Sequence, residues 1–165
     1  MEKEPENRYV PRERTVEGLD IDRYMGQWYE IARFDHRFER GMDNVTAQYE
    51  RTGENRVKVT NSGFRDGKRR LAHGKARIPD PKHPGRLEVS FFLWFYADYY
   101  VMELGEDYSY ALVGSSSDKY LWILARTPYL PKETTDHLLA CARERGYDTS
   151  KLIWVGQQSD GGQAR

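Results

Sequence analysis

The sequence predicts an all-β fold, an eight-stranded antiparallel up-and-down β-barrel with one C-terminal α-helix packed outside it and a short final strand. Three observations predict it. Turn signals recur at Gly41, Gly53-Glu54-Asn55, Asp66-Gly67, Pro79 to Gly85, Gly105-Glu106-Asp107 and Ser115 to Lys119, separated by runs of about 8–12 residues. Most of those runs alternate apolar and polar side chains, the period of a half-buried strand. A single helix signal stands late in the chain with no parallel βαβ rhythm, which favours a barrel over a doubly wound sheet.

Taken in order, residues 1–17 are charged, carry Pro5 and Pro11, and read as a disordered or extended tail. The barrel domain is expected over 18–157, and the small polar residues 158–165 form a second tail. Val45, Ala47 and Tyr49 share one face, as do Val57 and Val59. Leu87, Val89 and Phe91 alternate against Glu88 and Ser90, and Tyr100, Met102 and Leu104 against Val101 and Glu103. Residues 110–113 and 120–124 are apolar on both faces, so another element must cover their outer side. Residues 131–146 supply the cover, with Pro131 at a helix start, acids in the first turn, bases in the last and Gly146 as the stop. Leu138, Ala142 and either Leu139 or Cys141 form its apolar stripe. Residues 152–155 make the final strand.

Composition narrows the function. The chain has 165 residues, 26 basic and 26 acidic side chains and no net charge. One domain of this length buries roughly 70% of its unfolded surface, enough for a single core. The balanced charge argues against nucleic-acid binding, which needs a basic stripe to displace phosphate counterions. Lys68-Arg69-Arg70 is too short for that and reads as a solvated turn. The single cysteine, Cys141, excludes an intramolecular disulfide and, on the sequence alone, a cysteine-based zinc site, since either needs partners. A buried small hydrophobe is its expected role. No apolar run reaches about 18 residues, and the first residues carry neither a hydrophobic signal core nor a cysteine for lipid.

Catalytic patterns are thin. GxSxG, Walker A and GxGxxG are absent, and His36, His73, His83 and His137 show no HxxxH or HxH spacing, so no metal and no cofactor are expected. Asp35-His36 is an acid and base couple, but strand neighbours point to opposite faces. Aromatic residues make up 13% of the chain. Six of the residues from 91 to 96, including Trp94 and Phe95, are consecutive large apolar groups, more than one strand face can bury. That run is expected at a loop tip, as a ligand entrance, a partner surface or a membrane contact.

Gly26-Gln27-Trp28 opens the first strand in a pattern that resembles the GxW signature of the lipocalins. About a hundred residues later, Tyr120 to Pro128 resembles the last-strand motif of the same family, with Arg126 as its arginine. Residues 35–41 and 89–92 are similar to the bacterial outer-membrane branch, 122–130 to apolipoprotein D, and the chain also resembles the plant temperature-induced branch. The resemblance spans roughly residues 18–157. It implies that Gly26, Trp28 and Arg126 are structural, with the guanidinium packed over the indole across a closed barrel end. Gly105-Glu106-Asp107-Tyr108 keeps only the character of the family's middle TDY motif.

The resemblance further implies a calyx for a small hydrophobic or amphipathic molecule, here a fatty acid or a lysophospholipid, bound without catalysis. With Trp28 inward, Glu30, Ala32 and Phe34 fall on the same parity. The expected lining comprises Tyr49 and Trp122 foremost, with Phe34, Ala47, Val59, Val89, Phe91, Tyr100 and Met102. His36, Arg37 and Arg40 would meet a headgroup at the mouth, beside Trp94 and Phe95. Two other classes stay open. One is a docking or self-association module acting through residues 91–96. The other is an enzyme on a bound lipid, disfavoured because Cys141 lies on the outer helix and leaves Glu30 as the inward carboxylate. A monomer or homodimer is expected. The cell envelope is the expected compartment if a signal and lipid anchor have been removed, and the cytoplasm otherwise.

Overall fold

In the computed structural model, which describes residues 10–92 and 95–157, eight strands follow one another around a closed antiparallel barrel. They are β1 (Gly26–Phe34), β2 (Asp43–Gly53), β3 (Arg56–Arg65), β4 (Lys68–Arg77), β5 (Arg86–Phe92), β6 (Phe95–Leu104), β7 (Tyr110–Gly114) and β8 (Leu121–Ala125). β1 pairs with both β2 and β8 and so closes the ring. A one-turn helix, α1 (Ile21–Tyr24), precedes β1. Helix α2 (Lys132–Glu144) follows the barrel, and β9 (Leu152–Trp154) hydrogen-bonds to β1 from outside. The expected barrel, late helix and final strand are all present.

The wall separates two apolar cores. The interior holds Trp28, Tyr49, Val57, Val59, Leu87, Val101, Val113 and Leu124 among its buried residues. The second core lies under α2, where Leu112, Leu121 and Ile123 on the outer barrel face meet Leu138, Cys141 and Ala142. This explains why β7 and β8 are apolar on both faces. Each large side chain buried there contributes about 1.5–3 kcal/mol.

Two strands depart from simple alternation. In β1 the register with β8 shifts between Glu30 and Ala32, so the residues beyond the bulge change face. Ala32 and Phe34 therefore belong to the core under α2, and Phe34 sits against Tyr147 with ring centroids 5.9 Å apart. In β6 the inward residues are Tyr99 and Val101, while Tyr100 and Met102 pack on the helix side. The expected inward placement of Phe34, Tyr100 and Met102 is thus corrected. The cause in β1 is a bulge. In β6 it is a register shift with β7 between Val101 and Glu103, which puts Glu103 on the same side as Met102, within a run, Tyr99-Tyr100-Val101-Met102, that itself carries no polar marker of parity.

The meander sends the β1–β2, β3–β4, β5–β6 and β7–β8 connections to one end of the barrel and the other connections, with α1, to the opposite end. Trp28 and α1 close the latter. Residues 10–17 lie against α2 and the barrel, with Val10 N–H donating to Glu144 O and Val16 N–H to Val101 O, and turn between them where Arg14 N–H donates to Pro11 O at 3.0 Å. Residues 1–9, Leu93, Trp94 and 158–165, and the side chains of Phe92 and Phe95, lie outside the described structure. The expectations for Trp94, for the Phe95 side chain and for the outer parts of both tails fall there.

Candidate ligand site

From the closed end upward, the interior has three layers. The first is Trp28 with Arg126, whose guanidinium carbon lies 3.8 Å from the indole centroid. Arg126 donates to Gln27 O at 2.9 Å, Arg23 O at 2.7 Å and Tyr108 O at 3.2 Å. Gly26, beside this guanidinium, takes φ +95°, a backbone region that disfavours L residues; a Cβ there would stand 3.5 Å from Arg126 Nη1, an ordinary contact, so the backbone and not crowding calls for glycine. Trp28 Nε1 donates to Tyr24 O at 2.8 Å. Tyr108 of the middle motif is held on its ring and at its hydroxyl: the Arg23 guanidinium carbon lies 4.1 Å from the ring centroid, and the hydroxyl accepts from Asp20 N–H at 2.9 Å.

The second layer is a tyrosine cluster. Tyr99 OH lies 2.7 Å from Tyr24 OH and 2.9 Å from Tyr49 OH. Burial raises the ionisation range of all three phenols, so they stay neutral and act as hydrogen-bonding groups. Together with Val57, Ala76, Leu87 and Val89 they line a cavity of about 10 Å³, room for about one water molecule.

The third layer, at the neck below the open end, is polar. Arg33, 2% exposed, donates to Glu30 Oε2 at 3.3 Å, Met42 O at 3.2 Å and Glu39 O at 2.7 Å. Glu39 Oε1 accepts from His36 Nε2 at 2.7 Å and from Trp122 Nε1 at 3.2 Å. The His36 ring meets Trp122 and Tyr120 edge-on, each at 5.9 Å, and Tyr120 stacks on Trp122. Arg33 Nε, His36 Nδ1 and Glu39 Oε2 are buried without a hydrogen-bond partner.

Burial, reinforced by the neighbouring Glu39 charge, pushes the Glu30 carboxyl well above the usual range, and the Arg33 cation only partly opposes this. Burial acts the same way on Glu39, but hydrogen bonds from His36 and Glu30 and the nearby cations outweigh it and hold that carboxyl below the usual range. The two facts fit together. Of the two neighbouring carboxyls, Glu30 is therefore the one whose surroundings favour the proton and Glu39 the one whose surroundings favour the charge.

The structure brings Tyr49 and Val59 into the interior, with Ala47, Val89 and Trp122 packed against them. Phe91 stands at the rim of β5, 38% exposed, its ring over Gly74, where a Cβ would come 2.7 Å from Phe91 Cδ1. His36 is at the neck. Arg37, over the Phe38 ring at 5.0 Å, and Arg40, paired with Asp35 at 3.2 Å, are exposed on the same β1–β2 loop. Sequence reasoning passed over Tyr24, Tyr99, Arg33 and Glu39. The spacing of His36 and Glu39, three residues apart in a turn, was the available signal for the last.

Comparison with known proteins agrees with this geometry. The profile of the Lipocalin-like domain matches residues 19–157. Outer membrane lipoprotein Blc of Vibrio cholerae is 42% identical over 148 residues, covering 88% of this chain and 86% of that protein. Temperature-induced lipocalin-1 of Arabidopsis thaliana is 40% identical, with 84% and 79% covered. Among solved structures, insecticyanin of the tobacco hornworm Manduca sexta superposes with a TM-score of 0.72 at 24% identity, over 88% of this chain and 84% of that one. With the profile spanning the whole barrel, the chain belongs to the lipocalin-like domain family.

Proposed function

We propose that the barrel binds an amphipathic lipid, a fatty acid or a lysophospholipid, with the acyl chain in the interior and the headgroup at the neck, and that it acts by binding and release without making bonds. The observation that carries this reading is the layering among the described residues: an apolar interior around the tyrosine cluster, capped toward the open end by buried polar atoms without partners. Arg33 Nε and His36 Nδ1 are suited to a carboxylate or phosphate. Tyr49, Trp122, Ala47, Val59 and Val89 are the proposed acyl contacts, and Arg37 and Arg40 the outer headgroup contacts. Outer membrane relatives of this chain are lipoproteins, in keeping with work at a lipid surface.

The cavity sets a condition. Ligand pockets commonly measure about 300–1,000 Å³, far above the space now between the tyrosines. An acyl chain enters when the Tyr99 hydroxyl leaves Tyr24 and Tyr49 and the rings turn aside. The hydrogen bonds given up are worth about 1 kcal/mol each. Burying the chain returns about 0.8 kcal/mol per methylene, so a chain of ordinary length outweighs them.

Phe38 and Leu71, each 52% exposed, and Phe91 share the open end with Arg37, Lys68, Arg69 and Arg70. That mixture favours a second element of the reading, in which the open end rests on a membrane surface during transfer.

Calorimetric titration with palmitate and with a lysophosphatidylcholine tests the site. Saturable binding to the purified chain is expected, with Ala76→Trp, which fills the interior, abolishing it while urea unfolding still shows a cooperative transition. Equal affinity in Ala76→Trp, or no saturable binding to the parent chain, refutes the internal site.

A further inference from the structure

On the outer side of the barrel, between β6 and α2, three side chains of metal-binding type converge. Glu103 comes from β6, and His137 and Cys141 come from the helix, one turn apart on the same face. Their ligand atoms all lie within 4.8 Å of one another, and Cys141 Sγ is 3.7 Å from His137 Nε2. Zinc bonds to nitrogen, oxygen and sulfur measure about 2.0–2.3 Å, which puts tetrahedral ligands roughly 3.3–3.8 Å apart. The sequence offered Cys141 no second cysteine, and the fold supplies the partners instead.

The surroundings suit a bound cation. Cys141 is buried, the Glu103 side chain is 32% exposed and His137 is exposed, so the cluster opens to solvent on one side. Arg145 stands behind the carboxylate, donating to Cys141 O and Met102 O at 3.1 Å each and reaching Glu103 Oε1 at 3.5 Å. It is a cation next to the cluster; its two terminal nitrogens are held by those oxygens while its Nε is buried without a partner, and it orients the carboxylate from behind. Glu144 is the other charge near the thiol.

We propose that Glu103, His137 and Cys141 bind one divalent cation of the zinc class, with three protein ligands and the fourth position left to solvent. Thiolate with imidazole selects such an ion over magnesium or calcium, which prefer all-oxygen sites. Because the ligands come from β6 and α2, the ion ties the helix to the barrel wall, and its binding adds to the stability of the folded chain. The site is independent of the barrel interior.

Cobalt(II) and zinc titrations of the metal-free full chain test this. One cobalt per chain is expected, with a thiolate-to-cobalt charge-transfer band that zinc bleaches, and saturating zinc is expected to raise Tm. Cys141→Ser is expected to lose the band and to weaken zinc binding roughly tenfold or more. His137→Ala, a change at an exposed position that leaves the core intact, is expected to weaken it similarly, whereas His73→Ala and His83→Ala leave it unchanged. Absence of the band in the parent chain, or zinc affinity that survives both Cys141→Ser and His137→Ala, overturns the proposal.

Discussion

Each end of the barrel holds an arginine, and the two are held differently. At the closed end, the Arg126 donors rest on three backbone carbonyls and its plane on the Trp28 ring. Those acceptors are fixed by the fold and do not titrate. At the neck, Arg33 shares its space with Glu30 and Glu39, two carboxyls whose proton affinities are pushed in opposite directions, and its Nε has no partner. A cation bound by main chain and indole locks a structure. One placed among titratable groups with polar atoms unpaired sits where a ligand or a proton changes the balance.

Substitutions at the two ends should separate these roles. The largest effect is expected at the closed end, where Trp28→Ala removes a fully buried indole and the surface on which Arg126 packs. A loss of about 4 kcal/mol is expected in urea unfolding. At the neck, Arg33→Met should cost about 3 kcal/mol by stranding the Glu30–Glu39 pair. Adding Glu30→Gln to Arg33→Met should recover at least half of that. If the double variant is as unstable as the sum of the singles, the neck is a rigid structural unit like the closed end.

A smaller effect depends on pH. A carboxyl whose value is raised in the folded chain binds its proton more tightly there, so it contributes stability below its unfolded value, near ~4.3, and withdraws it as pH rises through the folded value. Glu30 is such a group. Glu30→Gln should therefore gain stability relative to the parent chain as pH is raised from about 4 toward neutrality, with little advantage at the acid end. Glu39 has the opposite sign: its lowered value contributes stability above the unfolded value and loses it as pH falls through the folded one. Glu39→Gln should flatten the acid limb of the stability curve. The smallest effect is expected for Arg40→Ala, because the pair with Asp35 is largely exposed, and a change within about 0.5 kcal/mol is the expectation in thermal unfolding.

Much of the barrel could be read from the chain, because turn spacing and alternation are local signals. Val57 and Val59 face inward as their pattern indicates, and Leu138, Cys141 and Ala142 form the buried stripe of α2. Phe34, Tyr100 and Met102 were misplaced because inward parity depends on information outside the strand. A bulge between Glu30 and Ala32 reverses β1, and in β6 a register shift between Val101 and Glu103 puts Glu103 on the same side as Met102, so the polar residue that should mark the outside misleads about the parity of Tyr100 and Met102. The same reversal turns Arg33 to the neck. The site was therefore legible in its apolar middle, through Tyr49 and Val59, and hidden in its polar rim. The cluster of Glu103 with His137 and Cys141 was hidden for another reason, since its third member comes from a strand 34 residues before the helical pair begins.

The most direct test of the lipid reading uses brominated acyl chains as a depth gauge. In a Trp94→Phe, Trp154→Phe background, Trp28 marks the closed end and Trp122 the neck, and a further Trp122→Phe isolates Trp28. A fatty acid brominated near its terminal methyl should quench Trp28, whereas one brominated beside the carboxyl should quench Trp122 and spare Trp28. Quenching of neither tryptophan, or the reverse order of depths, would contradict a chain held inside the barrel with its headgroup at the neck.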